Sequence, residues 1–142
     1  MIPRHPLSAL IFLCVVACRP PEAAPSAADL VGVWRSNAEG MPHGCQDATM
    51  EFRPDGTMIV KSGAQVLTGT YTAEPVGRRL MVKQKDVRSN GEPNCQGISA
   101  DYVLSHYVDS FYVSIRDGTL GIYARFTDRA EFFTATRVPT KS

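Results

Sequence analysis

The sequence predicts an all-β domain: an antiparallel up-and-down barrel, or a barrel-like sandwich, of about 8–9 short strands. Three observations predict it. Beyond residue 30, apolar and polar side chains alternate with period two in one segment after another. Turn signals rich in Gly, Asp, Asn and Pro separate these segments about every ten residues, the spacing of a meander that closes on itself. Helical periodicity is weak throughout the same region.

Leu30-Val31-Gly32-Val33-Trp34 is the first strand. Residues 48–53 are the second, with Met50 and Phe52 on the inner face and Thr49, Glu51 and Arg53 outside. Pro54-Asp55-Gly56 turns into residues 57–62, where Met58 and Val60 face inward. Ser62-Gly63 turns into residues 65–73, and residues 79–85 follow with Leu80 and Val82 inward. A long polar loop spans residues 86–97. Ile98, Ala100, Tyr102 and Leu104 then alternate with Ser99, Asp101, Val103 and Ser105, which reads as a strand. Phe111, Val113 and Ile115 form the next, and Asp117-Gly118 is a strong hairpin signal. Leu120, Ile122, Ala124 and Phe126 return across it, and residues 131–138 complete the set. A short helix within residues 35–44 or in the long loop stays open as an alternative.

The amino terminus has a different character. Met1-Ile2-Pro3-Arg4-His5-Pro6 leads into eleven mostly apolar residues, Leu7 to Ala17, and then Cys18. That run is too short to span a bilayer, which takes roughly 20 residues, and fits the core of a secretory signal. Val15-Val16-Ala17-Cys18 resembles the lipobox of bacterial lipoproteins. The resemblance implies removal of residues 1–17 and acylation of Cys18, for example with palmitate. Simple cleavage after Ala17 is the alternative, and a buried or anchoring helix is the alternative to a signal. Residues 18–29 hold three prolines and almost no bulky apolar side chain, so they read as a flexible tether to a domain over residues 30–142. Cys14 would leave with the signal and Cys18 would carry lipid. Cys45 and Cys95 would remain as one pair, expected to form a disulfide in an oxidising compartment, with two free thiols as the alternative.

Leu30-Val31-Gly32-Val33-Trp34-Arg35 resembles the Gly-x-Trp opening of lipocalin-like domains, in which the Trp plugs the closed end of a barrel. Glu51-Phe52-Arg53-Pro54-Asp55-Gly56-Thr57 and Thr68-Gly69-Thr70-Tyr71 are similar to the run found in small bacterial lipocalin-like lipoproteins. The similarity covers about residues 30–85. It implies an up-and-down barrel that takes a small apolar molecule at its mouth. Independently, Gly32 would let another backbone approach the first strand, and Trp34, the only tryptophan, suits a crowded barrel end.

The chain of 142 residues has formal net charge +1, and loss of residues 1–17 takes Arg4 with it and brings the balance to zero. No basic field would attract nucleic acid or anionic lipid. Met41, His43, Cys45 and Met50 are soft donors close in sequence, but lack a ligand spacing, and no metal or other cofactor is expected. His106 with Ser105, Ser110, Asp101 and Asp109 does not make a hydrolytic site: no nucleophile elbow is present, and strand alternation would separate Ser105 from His106. No enzymatic activity is expected.

Two binding readings follow. In the first, a lipid-anchored barrel on the periplasmic face of the bacterial envelope, at the outer membrane, holds a small apolar ligand through Tyr71, Tyr102, Leu104, His106 and Phe126. In the second, an outer stripe of Tyr107, Tyr112 and Tyr123 with Arg116 and Arg125 binds an envelope protein, as an inhibitor of a hydrolase or an immunity protein against a toxin.

Overall fold

A computed structural model describes residues 23–37 and 45–141. The signal segment, Cys18, Met41 and His43 lie outside the described residues. Eight strands pair in sequence order, each antiparallel to the next, and the last pairs with the first to close a barrel. They are β1 (Gly32–Ser36), β2 (Thr49–Phe52), β3 (Thr57–Ser62), β4 (Gln65–Val76), β5 (Arg79–Ser89), β6 (Ser110–Arg116), β7 (Thr119–Tyr123) and β8 (Phe133–Arg137). Closure comes from the register Trp34↔Arg137, Arg35↔Thr136 and Ser36↔Ala135. The barrel, not the sandwich, is therefore the fold, and no edge strand is left bare.

The expected ninth strand is a helix. Residues 98–104 do not pair; α2 (Ala100–Ser105) takes their place, capped by the Ser99 side chain, which accepts from the Tyr102 amide at 3.3 Å. The long loop is also shorter than expected, because β5 continues to Ser89 beside the far end of β4. At the other terminus, regular structure is already present before residue 30. A single helical turn, α1 (Ala27–Leu30), is held by the Asp29 carboxylate, which accepts from the Ser26 amide at 2.7 Å and the Ser26 hydroxyl at 3.0 Å. These bonds stabilise the carboxylate and hold the Asp29 pKa below the usual carboxylate range. The last residues of the expected tether thus belong to the domain.

Strand alternation builds the core. Leu30, Trp34, Phe52, Met58, Leu80, Val82, Val113 and Leu120 are fully buried in one cluster. Trp34 sits at the end covered by α1, and its indole N–H donates to the Leu30 carbonyl at 2.8 Å. The Arg137 guanidinium lies 4.2 Å over the indole ring and donates to the Val31 and Asp29 carbonyls. This arrangement explains Gly32. A Cβ there would meet the Arg137 guanidinium at 2.5 Å, so the close approach is made by a side chain and not by the backbone that the sequence suggests.

Candidate functional site

The end of the barrel opposite α1 is not filled. Inner-facing residues from the upper ends of β2, β5, β6, β7 and β8 surround a cavity of about 240 Å³. Its lining is Met50, Gln84, Tyr107, Val108, Phe111, Ile122, Phe132 and Phe133. Each position follows from local structure. Met50 is one alternation above Phe52, Gln84 one above Val82, and Phe111 and Ile122 begin and end the inward rows of their strands. Tyr107 and Val108 are delivered by the segment between α2 and β6.

The polar groups of this mouth are paired with one another. The Tyr107 hydroxyl donates to Gln84 Oε1 at 2.8 Å, and Gln84 Nε2 donates to the Val108 carbonyl at 3.1 Å. Burial pushes the Tyr107 phenol up to about 12, a shift only partly opposed by its bond to Gln84. The wall is therefore neutral and mostly apolar, with aromatic faces on several sides. Among the described residues no group of three or more His, Cys, Asp or Glu side chains could hold a metal ion.

The rim is tied by the Cys45–Cys95 disulfide, with Cα atoms 5.1 Å apart and a sequence separation of 50. The pairing is as expected from the cysteine count. It joins the segment before β2 to the loop after β5, and that loop packs on the β3–β4 turn. Gln65 Nε2 donates to the Glu92 carbonyl at 3.0 Å, and Asn90 Nδ2 to the Ala64 carbonyl at 2.9 Å.

The residues expected to bind a ligand are dispersed. Tyr71 faces inward but packs edge-on against Phe52, with centroids 4.9 Å apart, and donates its hydroxyl to the Arg53 carbonyl. Tyr102, Leu104 and His106 belong to the helical segment, so the strand parity that pointed them inward does not apply. Tyr102 is 56 % exposed and stacks on His106 at 4.1 Å. Leu104 is half-buried on α2. Phe126 lies on the outer wall against Tyr112, with centroids 5.7 Å apart. None of the five lines the cavity.

The expected aromatic–basic stripe is also broken up. Residues 124–132 fold back over the outer face of β5–β7 as a flap. Arg79 pins it, donating to the carbonyls of Arg125 at 3.3 Å, Phe126 at 2.9 Å and Asp128 at 2.6 Å. The same guanidinium lies 3.5 Å over the Tyr123 ring, and the Tyr123 hydroxyl donates to Glu131 at 3.0 Å. Tyr123 is thereby buried. Tyr107 points into the mouth, Tyr112 is half-buried beside Phe126, and Arg116 and Arg125 remain exposed. Gly121 makes the flap possible, since a Cβ there would meet Glu131 at 2.7 Å and Ser114 at 2.9 Å.

Ser105 and His106 do come together, because they end a helix and do not alternate along a strand. Ser105 Oγ lies 2.9 Å from His106 Nδ1, but also donates to the Tyr102 carbonyl at 2.8 Å. Nδ1 is itself 2.9 Å from that carbonyl. Ser105 Oγ and His106 Nδ1 thus both lie within hydrogen-bond reach of the same carbonyl, which competes with their contact with each other.

No family model matches the chain, and no curated protein or solved structure matches it either.

The mouth residues missed in the sequence had a visible signal. Gln84 continues the inward row of Leu80 and Val82, and a polar residue in that row marks the place where the core gives way to a lined space.

Proposed function

We infer that the domain holds a small neutral apolar molecule, or one end of a longer one, in the open end of its barrel. The observation that carries this reading is the cavity of about 240 Å³ between Met50, Phe111, Ile122 and Phe133. An apolar void of about 150 Å³ suffices for benzene, while drug-sized ligands use about 300–1,000 Å³. Eight-stranded barrels have interiors that either fill with side chains or accept one small ligand. Here the α1 end is filled by Trp34 and Leu30, and the other end is the part left over. A distant lipocalin-like relationship is supported by the up-and-down barrel plugged by Trp34. Placement in the bacterial envelope, with an acylated Cys18 as anchor, is supported by the amino-terminal motif and by a disulfide of the kind that persists outside the cytoplasm.

The test is a titration of the protein with toluene, followed through the Met50 ε-methyl resonance. A saturable shift is expected, and Val108→Trp, which fills the mouth from its exposed rim, is expected to abolish it while leaving the melting temperature unchanged. Absence of any shift up to the solubility limit of toluene overturns the reading.

One observation favours a second reading, an interaction protein acting as an inhibitor or immunity factor in the envelope. Val108 and Phe132 stand exposed at the same rim, at 56 % and 66 %. An apolar side chain of a protein partner would then occupy the mouth. A mouth that rejects toluene but is protected from hydrogen exchange by an envelope protein would favour this second reading.

A further inference from the structure

Beside the mouth cavity lies a second, smaller space, next to the end of β1 that points away from α1. It has a volume of about 50 Å³ and shares Met50 and Phe133 with the mouth cavity; Trp34, Val60 and Ser36 also line it. Ser36 ends β1 and faces inward two residues after Trp34. It is only 6 % exposed, and among the described residues its Oγ has no hydrogen-bond partner.

An unpaired hydroxyl in apolar surroundings is costly, and such groups are rare without a reason. The indole N–H of Trp34 cannot relieve it, because that donor is already engaged by the Leu30 carbonyl. A lone water is a poor partner here, since a buried water ordinarily makes about three hydrogen bonds and the surrounding side chains are nearly all apolar. The group that fits is a polar atom attached to an apolar body that fills the mouth cavity.

We propose that Ser36 is the polar anchor of the mouth site, and that the ligand is a neutral amphiphile carrying a hydroxyl or carbonyl group, which bonds to Ser36 Oγ while its apolar body lies in the mouth cavity. The inference rests on the reading of the mouth as a ligand site. The ligand is neutral because no charged side chain lines either space, and an unpaired charge against apolar walls is costly. Its body is flat or aromatic, because Phe111, Phe133 and Tyr107 offer ring faces and edges. Met50, which lines both spaces, is unbranched and can swing aside to join them.

Phenol and toluene form the matched pair that tests this, differing by a hydroxyl in place of a methyl. Both are titrated by calorimetry into the unmodified protein and into Ser36→Ala. The substitution is expected to weaken phenol by about fivefold, the effect of one net hydrogen bond. It is expected to change toluene less than twofold. The variant should melt no lower than the parent, because it removes a polar atom without a partner. Unchanged phenol affinity overturns the anchor while toluene binding keeps the mouth reading intact. Equal weakening of both ligands, or a lower melting temperature with both weakened, assigns Ser36 a structural role and also overturns it. If the unmodified protein binds neither compound, the mouth reading itself falls and the anchor with it.

Discussion

Tyr107 stands where packing and polarity meet. Its ring lines the mouth and its hydroxyl caps Gln84, whose amide in turn holds the Val108 carbonyl. The phenol titrates near 12 in the folded chain, against about 10 when free. Between those values the unfolded chain has lost a proton that the folded chain keeps. Stability is therefore intact below pH 10 and falls as pH rises through 12, by at most about 3 kcal/mol from this group. Tyr107→Phe removes the titration together with one hydrogen bond, which costs about 1 kcal/mol at neutral pH. The variant is thus expected to be the less stable protein at pH 7 and to close that gap, or reverse it, by pH 12. Urea unfolding at a series of pH values checks this, and parallel losses in the two proteins between pH 10 and 12 would contradict a buried phenol.

At the scale of elements, the strands were legible and two connections were not. Met58, Leu80, Val82, Val113 and Leu120 all lie on the side that alternation assigns them. Residues 98–107 satisfied two periods at once. Ile98, Ala100, Tyr102 and Leu104 alternate, while Ala100, Val103, Leu104 and Tyr107 recur at helical spacing, and those four are buried or half-buried whereas Tyr102 is exposed. The Ser99 cap decides locally for a helix, since its hydroxyl meets an amide that a strand would have aimed elsewhere. The mouth shifted with it, from Tyr102, Leu104 and His106 to Tyr107 and Val108. The flap was hidden for another reason. Ala124 and Phe126 continue the alternation of Leu120 and Ile122 and so read as strand, whereas β7 ends at Tyr123 and the position of residues 124–132 depends on Arg79, more than forty residues away in sequence. Arg79→Met keeps the aliphatic stem but loses three charge-assisted bonds and the contact with Tyr123. Because the freed carbonyls can turn to water, the expected cost is about 1–2 kcal/mol. Hydrogen exchange locates it. The amides of Arg125, Asp128 and Phe132 should exchange faster in the variant, and those of β2 and β3 should not; uniform acceleration would show that Arg79 braces the whole barrel.

For the whole molecule, the two ends of the barrel are closed by different physics. At the α1 end, buried side chains do the work, with Trp34, Leu30 and Phe52 fully inside and Arg137 spanning the seam between β1 and β8. At the mouth, where space is left, the perimeter is held by loops, and the Cys45–Cys95 bridge is their covalent link. A cross-link of 50 residues restricts the unfolded chain by about 4 kcal/mol on chain-entropy grounds, and native bridges of this kind contribute about 2–5 kcal/mol. Since packing at the α1 end does not depend on it, removing the bridge should lower stability without dissolving the fold. Cys45→Ala with Cys95→Ala is expected to melt about 10 °C lower, with an unchanged β-rich far-ultraviolet circular dichroism spectrum at room temperature. Loosening should be graded from one end to the other, because without the bridge the loop after β5 is held over the β3–β4 turn by hydrogen bonds alone, among them those of Gln65, Asn90 and the Cys95 amide. Methyl resonances of Met50 at the mouth should therefore broaden while those of Met58 in the packed layer stay sharp. Equal broadening of both would mean that the bridge, and not the Trp34 layer, defines the barrel.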